Sequence, residues 1–258
     1  EIIVKCISPL SFLVLTHILV PEDFGLVAVA TTVLMFVNII ADLGTGKVLV
    51  QMKCDNSEEF THYCNTAFIF NAVMGIGLFI CVFLLSPLIA EWNNQPRSEP
   101  VVRLMSVQIL FTSLSIVQIA IKNREMNYKS LFFIRLITVM TPVAVSIPIA
   151  FCGGGVWAIV SGSVCSSFFQ LIVLWLKTSW KPKIQFDFFV FRNLFSKSIW
   201  STIQQVAVWV PICFDTYLVS NHLSSASLGL YTASRSLFSS ASGLILAPFL
   251  PVLFSSLS

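Results

Sequence analysis

Residues 66–90 read TAFIFNAVMGIGLFICVFLLSPLIA, a run without a single charged side chain. A helix needs about 20 mostly apolar residues to cross the hydrocarbon core of a bilayer, and this run is long enough. An open strand in lipid would leave its backbone donors and acceptors unpaired, so the run must be helical. Moving outward, further stretches of the same kind lie at 2–20, 24–43, 103–121, 131–151, 155–176, 198–220 and 230–254. Composition agrees: 56% of residues are hydrophobic and 10% charged, where a soluble domain carries about 25% charged residues. The sequence therefore predicts an all-α polytopic transmembrane helix bundle of about eight helices.

The connections between these spans set its orientation. Lys5, Lys47, Lys53, Lys122, Arg124, Lys129, Arg135, Lys177, Lys181, Lys183, Arg192 and Lys197 all fall at the chain start or on alternate connections. The opposite connections hold Arg97 and Arg103, and Arg235 is left inside a span. Cytoplasmic loops carry the excess of Lys and Arg, which puts the N-terminus in the cytoplasm of a multi-pass inner-membrane protein. The net charge of +3 then reflects topology, and no nucleic-acid partner is expected. The first span lacks a basic leader and a small-residue cleavage site, and further spans follow, so it does not read as a signal peptide. The chain starts at Glu1 close to one apolar run and stops at Ser258 after another, and it reads as a fragment cut at both ends.

Several chemistries find no support. The outward connections, at 21–23, 91–102, 152–154 and 221–229, are short, leaving little room for a membrane glycosyltransferase or polymerase site. No phosphate-binding GxxxxGK[ST] motif is present. Gly153-Gly154-Gly155 lies between two apolar spans with no preceding strand and reads as a tight reversal. The seven cysteines show no CxxC spacing and read as small packing residues. His17, His62 and His222 are scattered, so no metal site and no cofactor are expected. Pro142 and Pro148 read as bends in their span. The aromatic stretch 184–195, IQFDFFVFRNLF, is too interrupted to span and reads as an interfacial segment.

That stretch marks a boundary, and the residues beyond it repeat the start of the chain. Residues 17–25 read HILVPEDFG and residues 221–229 read NHLSSASLG, offset by 204 positions. Both segments close one span and open the next on Phe/Leu-Gly-Leu. The repeat is parallel, with six helices per unit, a plan known among transporters. Residues 1–178 would form a first six-helix lobe, 179–197 a cytoplasmic interfacial connection, and 198–258 the opening pair of a second lobe.

Polar positions follow the same offset. Thr31, Met35, Asn38 and Asp42 share one helical face, and their equivalents are Arg235, Ser239, Ser242 and Leu246. A further stripe runs through Ser201, Gln204, Gln205, Val208, Pro211 and Asp215. Such groups avoid lipid and should face protein or a water-filled cleft, so the second, seventh and eighth spans should line a common cavity. Asp215 and Arg235 each lie about five residues, or ~8 Å, from the outer ends of their spans. They could pair. Arg235 could instead snorkel to headgroups, and Asp215 could be only its structural partner. Asp42 reads as a helix terminator or a partner of Lys47, and Met35 as packing.

These residues carry a resemblance. Pro21-Glu22-Asp23-Phe24-Gly25-Leu26-Val27, Ala41-Asp42-Leu43-Gly44 and Val50-Gln51 resemble the start of the bacterial oligosaccharide and polysaccharide flippases. These belong to the multidrug/oligosaccharidyl-lipid/polysaccharide superfamily. Residues 118–129 (QIAIKNREMNYK), Gly155-Val156-Trp157-Ala158, Trp180-Lys181-Pro182, Asp215 to Leu218 and Leu228-Gly229-Leu230-Tyr231 extend it along the chain, nearest the colanic-acid and teichuronic-acid exporters. The resemblance implies a two-lobe fold of twelve or more helices, and movement of an undecaprenyl-diphosphate-linked oligosaccharide to the outer leaflet by alternating access. It implies no covalent chemistry. The partners implied are the lipid-linked oligosaccharide, the phospholipid bilayer and other polysaccharide-assembly membrane proteins. Arg235 would meet the diphosphate, with Asp215 holding it or titrating. Gln204, Gln205, Ser239, Ser242 and Asn38 would hydrogen-bond sugar or phosphate. The resemblance departs in one respect: some relatives place several cations in the cavity, and here the spans supply Arg235 alone. A cation-coupled multidrug exporter of the same architecture, or a membrane glycan polymerase or ligase, are the alternatives.

Overall fold

The computed structural model describes residues 2–52, 57–126, 128–239 and 242. Among them the chain is helical, as lipid requires of a spanning backbone. The helices are α1 (Ile2–Ile18), α2 (Pro21–Asp42), α3 (Thr45–Gln51), α4 (Ser57–Trp92), α5 (Glu99–Ser113), α6 (Ile116–Arg124), α7 (Tyr128–Phe151), α8 (Val156–Lys177) and α9 (Phe188–His222). A tenth, α10, runs over 225–239.

Four helices, α2, α4, α7 and α8, are long and apolar enough to cross a membrane, and a fifth span results if α5 and α6 count as one. The chain is thus a polytopic membrane helix bundle. The remaining expected spans are helical but differ for visible reasons. The described apolar part of α1 is short, Pro9–Ile18. In α9 Gln204, Gln205 and Asp215 dilute an otherwise apolar helix. The expected span 230–254 lies outside the described residues beyond 239, apart from Ser242.

The expected single span 103–121 is broken into α5 and α6, bent by 42°. Neither Pro nor Gly sits at the break. Instead Thr112 donates to Gln108 O at 2.9 Å, Ser113 to Ile109 O at 2.7 Å and Ser115 to Phe111 O at 2.7 Å. Hydroxyls that bond back to the preceding turn compete with the helical ladder and bend helices.

The long helices overshoot the bilayer. At 1.5 Å per residue, α4 and α9 are each about 50 Å long, against a hydrocarbon core of about 30 Å. The aromatic stretch from Phe188 onward is therefore the first turns of α9. Asp187 caps it, accepting from Phe189 N at 2.7 Å and Val190 N at 3.4 Å.

Around α2 the bundle packs α4, α5, α8 and α9, while α7 pairs with α8 and carries α1. The main core joins Ala30, Leu34, Val102, Met105, Ile109 and Val160. A second core, under α3, joins Leu49, Ala67, Val117 and Leu194. Several of the expected cytoplasmic cations gather at one end. There Arg124 donates to Leu49 O at 3.2 Å and to Met52 O, and stacks over Phe60 at 4.2 Å. Lys177 lies 4.1 Å from the Phe133 ring centre, and Lys183 N donates to Asn65 at 3.1 Å. We call this the Lys47 end and its opposite the Gly25 end.

At the Gly25 end the start of α2 meets the start of α10. Helix α10 begins at 225, which is Pro21 plus the 204-residue offset, so the repeat includes the helix starts. The connection after α4 is bonded to the end of α9 and the start of α10. Ser225 donates to Gln95 at 2.8 Å, Ser220 to Asn93 at 3.3 Å, and Asn94 to Asn221.

Candidate functional site

At the Lys47 end the faces of α2 and α9 part to form a cleft of about 580 Å³. Asn38 and Asp42 come from α2, Gln204 and Gln205 from α9, Thr112 from α5, and Lys47 from α3. The helical spacings that put Asn38 below Met35, and Gln204 below Val208, bring both polar stripes to one space. Of the residues singled out from sequence, Asn38, Gln204 and Gln205 thus meet in one cleft.

Their bonding leaves groups to offer. Asn38 Oδ1 lies 2.8 Å from the Thr112 hydroxyl, whose single proton is shared with Gln108 O, and this contact holds the amide beside α5. Gln205 Nε2 is buried and unpaired, as is the hydroxyl of Ser201 one turn earlier. A buried amide without a partner forgoes about 1–3 kcal/mol.

Asp42 both ends one helix and starts the next. Leu43 and Gly44 take left-handed φ angles of 43° and 73° and reverse the chain. Asp42 Oδ1 then accepts from Thr45 Oγ1 at 3.0 Å and Gly46 N at 2.9 Å. With its one hydroxyl proton committed to Asp42, Thr45 accepts from Asn71 Nδ2 at 3.2 Å. Arg124 holds the other end of α3, so Lys47 projects from a helix fixed at both ends. Its exposed ammonium borders both the main cleft and a neighbouring one that includes Gln51 and Asn123. Lys47 is the cation on the main cleft. From sequence it counted as a loop charge and a candidate partner of Asp42, not as a cation of the cleft; its position five residues past Asp42, behind Leu43-Gly44, was the available signal.

Arg235 and Asp215 lie elsewhere. Arg235 Nη1 is 3.4 Å from Asp215 Oδ2, which also accepts from Tyr231 at 3.0 Å. Asp215 is eleven residues along α9 from Gln204, or about 16 Å, toward the Gly25 end. Neither partner lines the polar cleft, and no described residue of α10 does. Ser239 and Ser242 lie together on the following turns, Ser242 donating to Ser239 O at 3.1 Å.

A second cavity, of about 510 Å³, adjoins the cleft on the side of the Gly25 end. Trp209 lines both spaces. Its indole donates to Thr32 O at 2.9 Å and its ring stacks on Phe36, with centres 4.4 Å apart.

Several known proteins are similar to this sequence over part or most of its length. The succinoglycan biosynthesis transport protein ExoT of Rhizobium meliloti is 24% identical over 93% of this chain and 48% of its own. The teichuronic acid biosynthesis protein TuaB of Bacillus subtilis is 22% identical over 76% of this chain and 40% of its own. The lipopolysaccharide biosynthesis protein WzxC of Escherichia coli is 30% identical over 36% of this chain and 18% of its own. The chain thus spans about half the length, or less, of these relatives. No solved structure matches it significantly. A family model for polysaccharide biosynthesis proteins matches residues 14–258, and with nearly the whole chain inside that match, the chain belongs to this family.

Proposed function

We propose that the chain is part of a transporter that moves a polyprenyl-diphosphate-linked oligosaccharide across the bacterial cytoplasmic membrane by alternating access, without covalent chemistry. The supporting observation is the cleft between α2 and α9. Its neutral amides suit sugar hydroxyls, and Lys47 at its mouth suits a phosphate. The names of the relatives, which concern transport and biosynthesis of surface polysaccharides, favour the same reading.

With the cation-rich end in the cytoplasm, the cleft opens inward, while the bonded connections at the Gly25 end keep the outer side shut. The head of the substrate then enters past Lys47 and reaches Asn38, Gln204 and Gln205. In this inward-open arrangement Arg235 is held by Asp215. It becomes available to the diphosphate only when the outer side opens, with Ser239 and Ser242 on the same helix.

The test is made in the full-length protein, in cells lacking the native gene. Lys47→Ala and the double variant Gln204→Ala/Gln205→Ala are expected to lower surface polysaccharide at least tenfold and to accumulate lipid-linked precursor on the cytoplasmic face. Wild-type export by both variants at normal protein levels removes the cleft from the pathway.

A further inference from the structure

We propose that the apolar cavity between α2, α4 and α9 seats the hydrocarbon chain of the substrate while the head occupies the polar cleft. The two spaces would form one two-part site for an amphipathic ligand. This assignment rests on the transport reading given above.

The first ground is the chemistry of the wall. Val29, Val33, Phe36, Ile89, Val210 and Phe214 supply apolar side chains to it. Polar groups also border the space, and four of them, Thr32, Thr216, Asn93 and Trp209, are hydrogen-bonded within the wall. Thr32 donates to Ala28 O and Thr216 to Ile212 O, each at 2.8 Å, and the two hydroxyl oxygens face each other at 3.3 Å. Asn93 donates to Ile89 O at 2.9 Å and accepts from Ser220 at 3.3 Å. The indole of Trp209 is likewise committed to Thr32 O. Such a wall offers water few partners, and apolar cavities stay dry and take up hydrocarbon. The size falls within the range of small-molecule sites.

The second ground is continuity. Trp209 forms the partition between the polar and apolar spaces. Along α9, Gln204 and Gln205 face the first while Cys213 and Phe214 border the second, about 13 Å further on.

The third ground is direction. A lipid of the cytoplasmic leaflet keeps its head at the surface and points its chain toward the membrane midplane. The polar cleft lies at the Lys47 end and the apolar cavity lies beyond it in that direction. A lipid-linked sugar entering from the cytoplasmic leaflet meets both parts without inverting. The outer closure above the cavity, made by Asn93 and Ser220, stops the chain from passing through.

The experiment uses the full-length protein in nanodiscs. A C55 polyprenyl diphosphate with a diazirine beyond its second isoprene unit is photolysed, and adducts are mapped by mass spectrometry. Adducts are expected on Val33, Trp209, Val210 or Phe214, suppressed by excess unlabelled C55 diphosphate and not by excess phosphatidylglycerol. Separately, the cavity is filled in the variant Val33→Phe/Val210→Trp. Its affinity for the C55 diphosphate should fall at least tenfold, while that for a C10 diphosphate changes less than twofold. Labelling of the same residues by photoreactive phosphatidylglycerol, uncompeted by the polyprenyl compound, makes the cavity an ordinary lipid seat and overturns the proposal. So does specific polyprenyl labelling confined to other helices. If the wild-type protein captures no polyprenyl diphosphate of either length, the transport reading itself fails.

Discussion

Gly25 and Gly229, equivalent residues of the two repeats, press reciprocally on each other's helices. A β-carbon on Gly25 would overlap the carbonyl oxygen of Ser225, and one on Gly229 would overlap that of Pro21. Pro21 and Ser225 are themselves equivalent under the repeat. Such an exchange of contacts is what a two-fold relation between the segments produces, and small residues are what let membrane helices approach so closely. Leu228, fully buried against Ala28 and Val29, seals the same junction.

Gly25→Ala and Gly229→Ala should therefore each prise α2 from α10. The obstacle is backbone on both sides, so rotamer changes cannot relieve it. Overpacking of this kind costs about 1–3 kcal/mol, read as a fall in thermal stability of the detergent-solubilised protein. A disulfide between Asn94→Cys and Asn221→Cys, formed readily in the parent, should form at least several-fold more slowly with either alanine present. Undiminished cross-linking in both variants would show that the glycines do not set the approach.

Arg124 fixes α3 beneath the cleft by donating to Leu49 O and Met52 O while lying on Phe60. Hydrogen bonds from a charged donor contribute about 1.5–3 kcal/mol, so Arg124→Ala should lower stability by that order. Arg124→Lys should recover only part, because an ammonium lacks the planar guanidinium face that stacks on the Phe60 ring. Thermal unfolding of the three proteins side by side measures this.

The spans at 24–43, 66–90, 131–151 and 155–176 and the end that gathers the cations were legible because lipid imposes a simple rule of length and charge. The repeat was legible from His17–Gly25 and Asn221–Gly229, and the helix starts at 21 and 225 extend it. The break between α5 and α6 was not read, although Thr112, Ser113 and Ser115 announce it, because hydropathy is blind to hydroxyls that bond to their own helix. The grouping of Asn38 with Gln204 and Gln205 followed from helical periodicity. Lys47 escaped notice because topology accounts for a loop cation before chemistry is asked of it. The separation of Arg235 from the cleft depends on where α10 lies against α2, which no local pattern encodes.

Asp42 has two separable roles, and two substitutions divide them. Asp42→Asn keeps an oxygen for Thr45 and Gly46, so stability should change by less than about 1 kcal/mol. Asp42→Ala removes the cap of α3 and should cost about 0.5–2 kcal/mol. If the carboxylate charge beside Lys47 matters to transport, both variants should lose export while only the alanine loses stability. If Asp42 serves only as a cap, the asparagine variant should export normally.

The Arg235–Asp215 pair is more than a third exposed on both sides, so its net contribution to folding should be small, at most about 1 kcal/mol. Arg235→Ala should therefore leave thermal stability nearly unchanged. Export separates the remaining possibilities. Arg235→Lys keeps a charge but not the fork, and its export should fall between those of wild type and the alanine variant if the side chain meets a diphosphate. The exchange Arg235→Asp/Asp215→Arg restores the pair while moving the cation from α10 to α9. A purely structural pair should regain export in that double variant. A cation needed on α10 should leave it as inactive as Arg235→Ala, at equal protein level and equal stability. Wild-type surface polysaccharide from Arg235→Ala itself would remove this arginine from the transport path and leave Lys47 as the cation on the described cleft to carry the charge of the head.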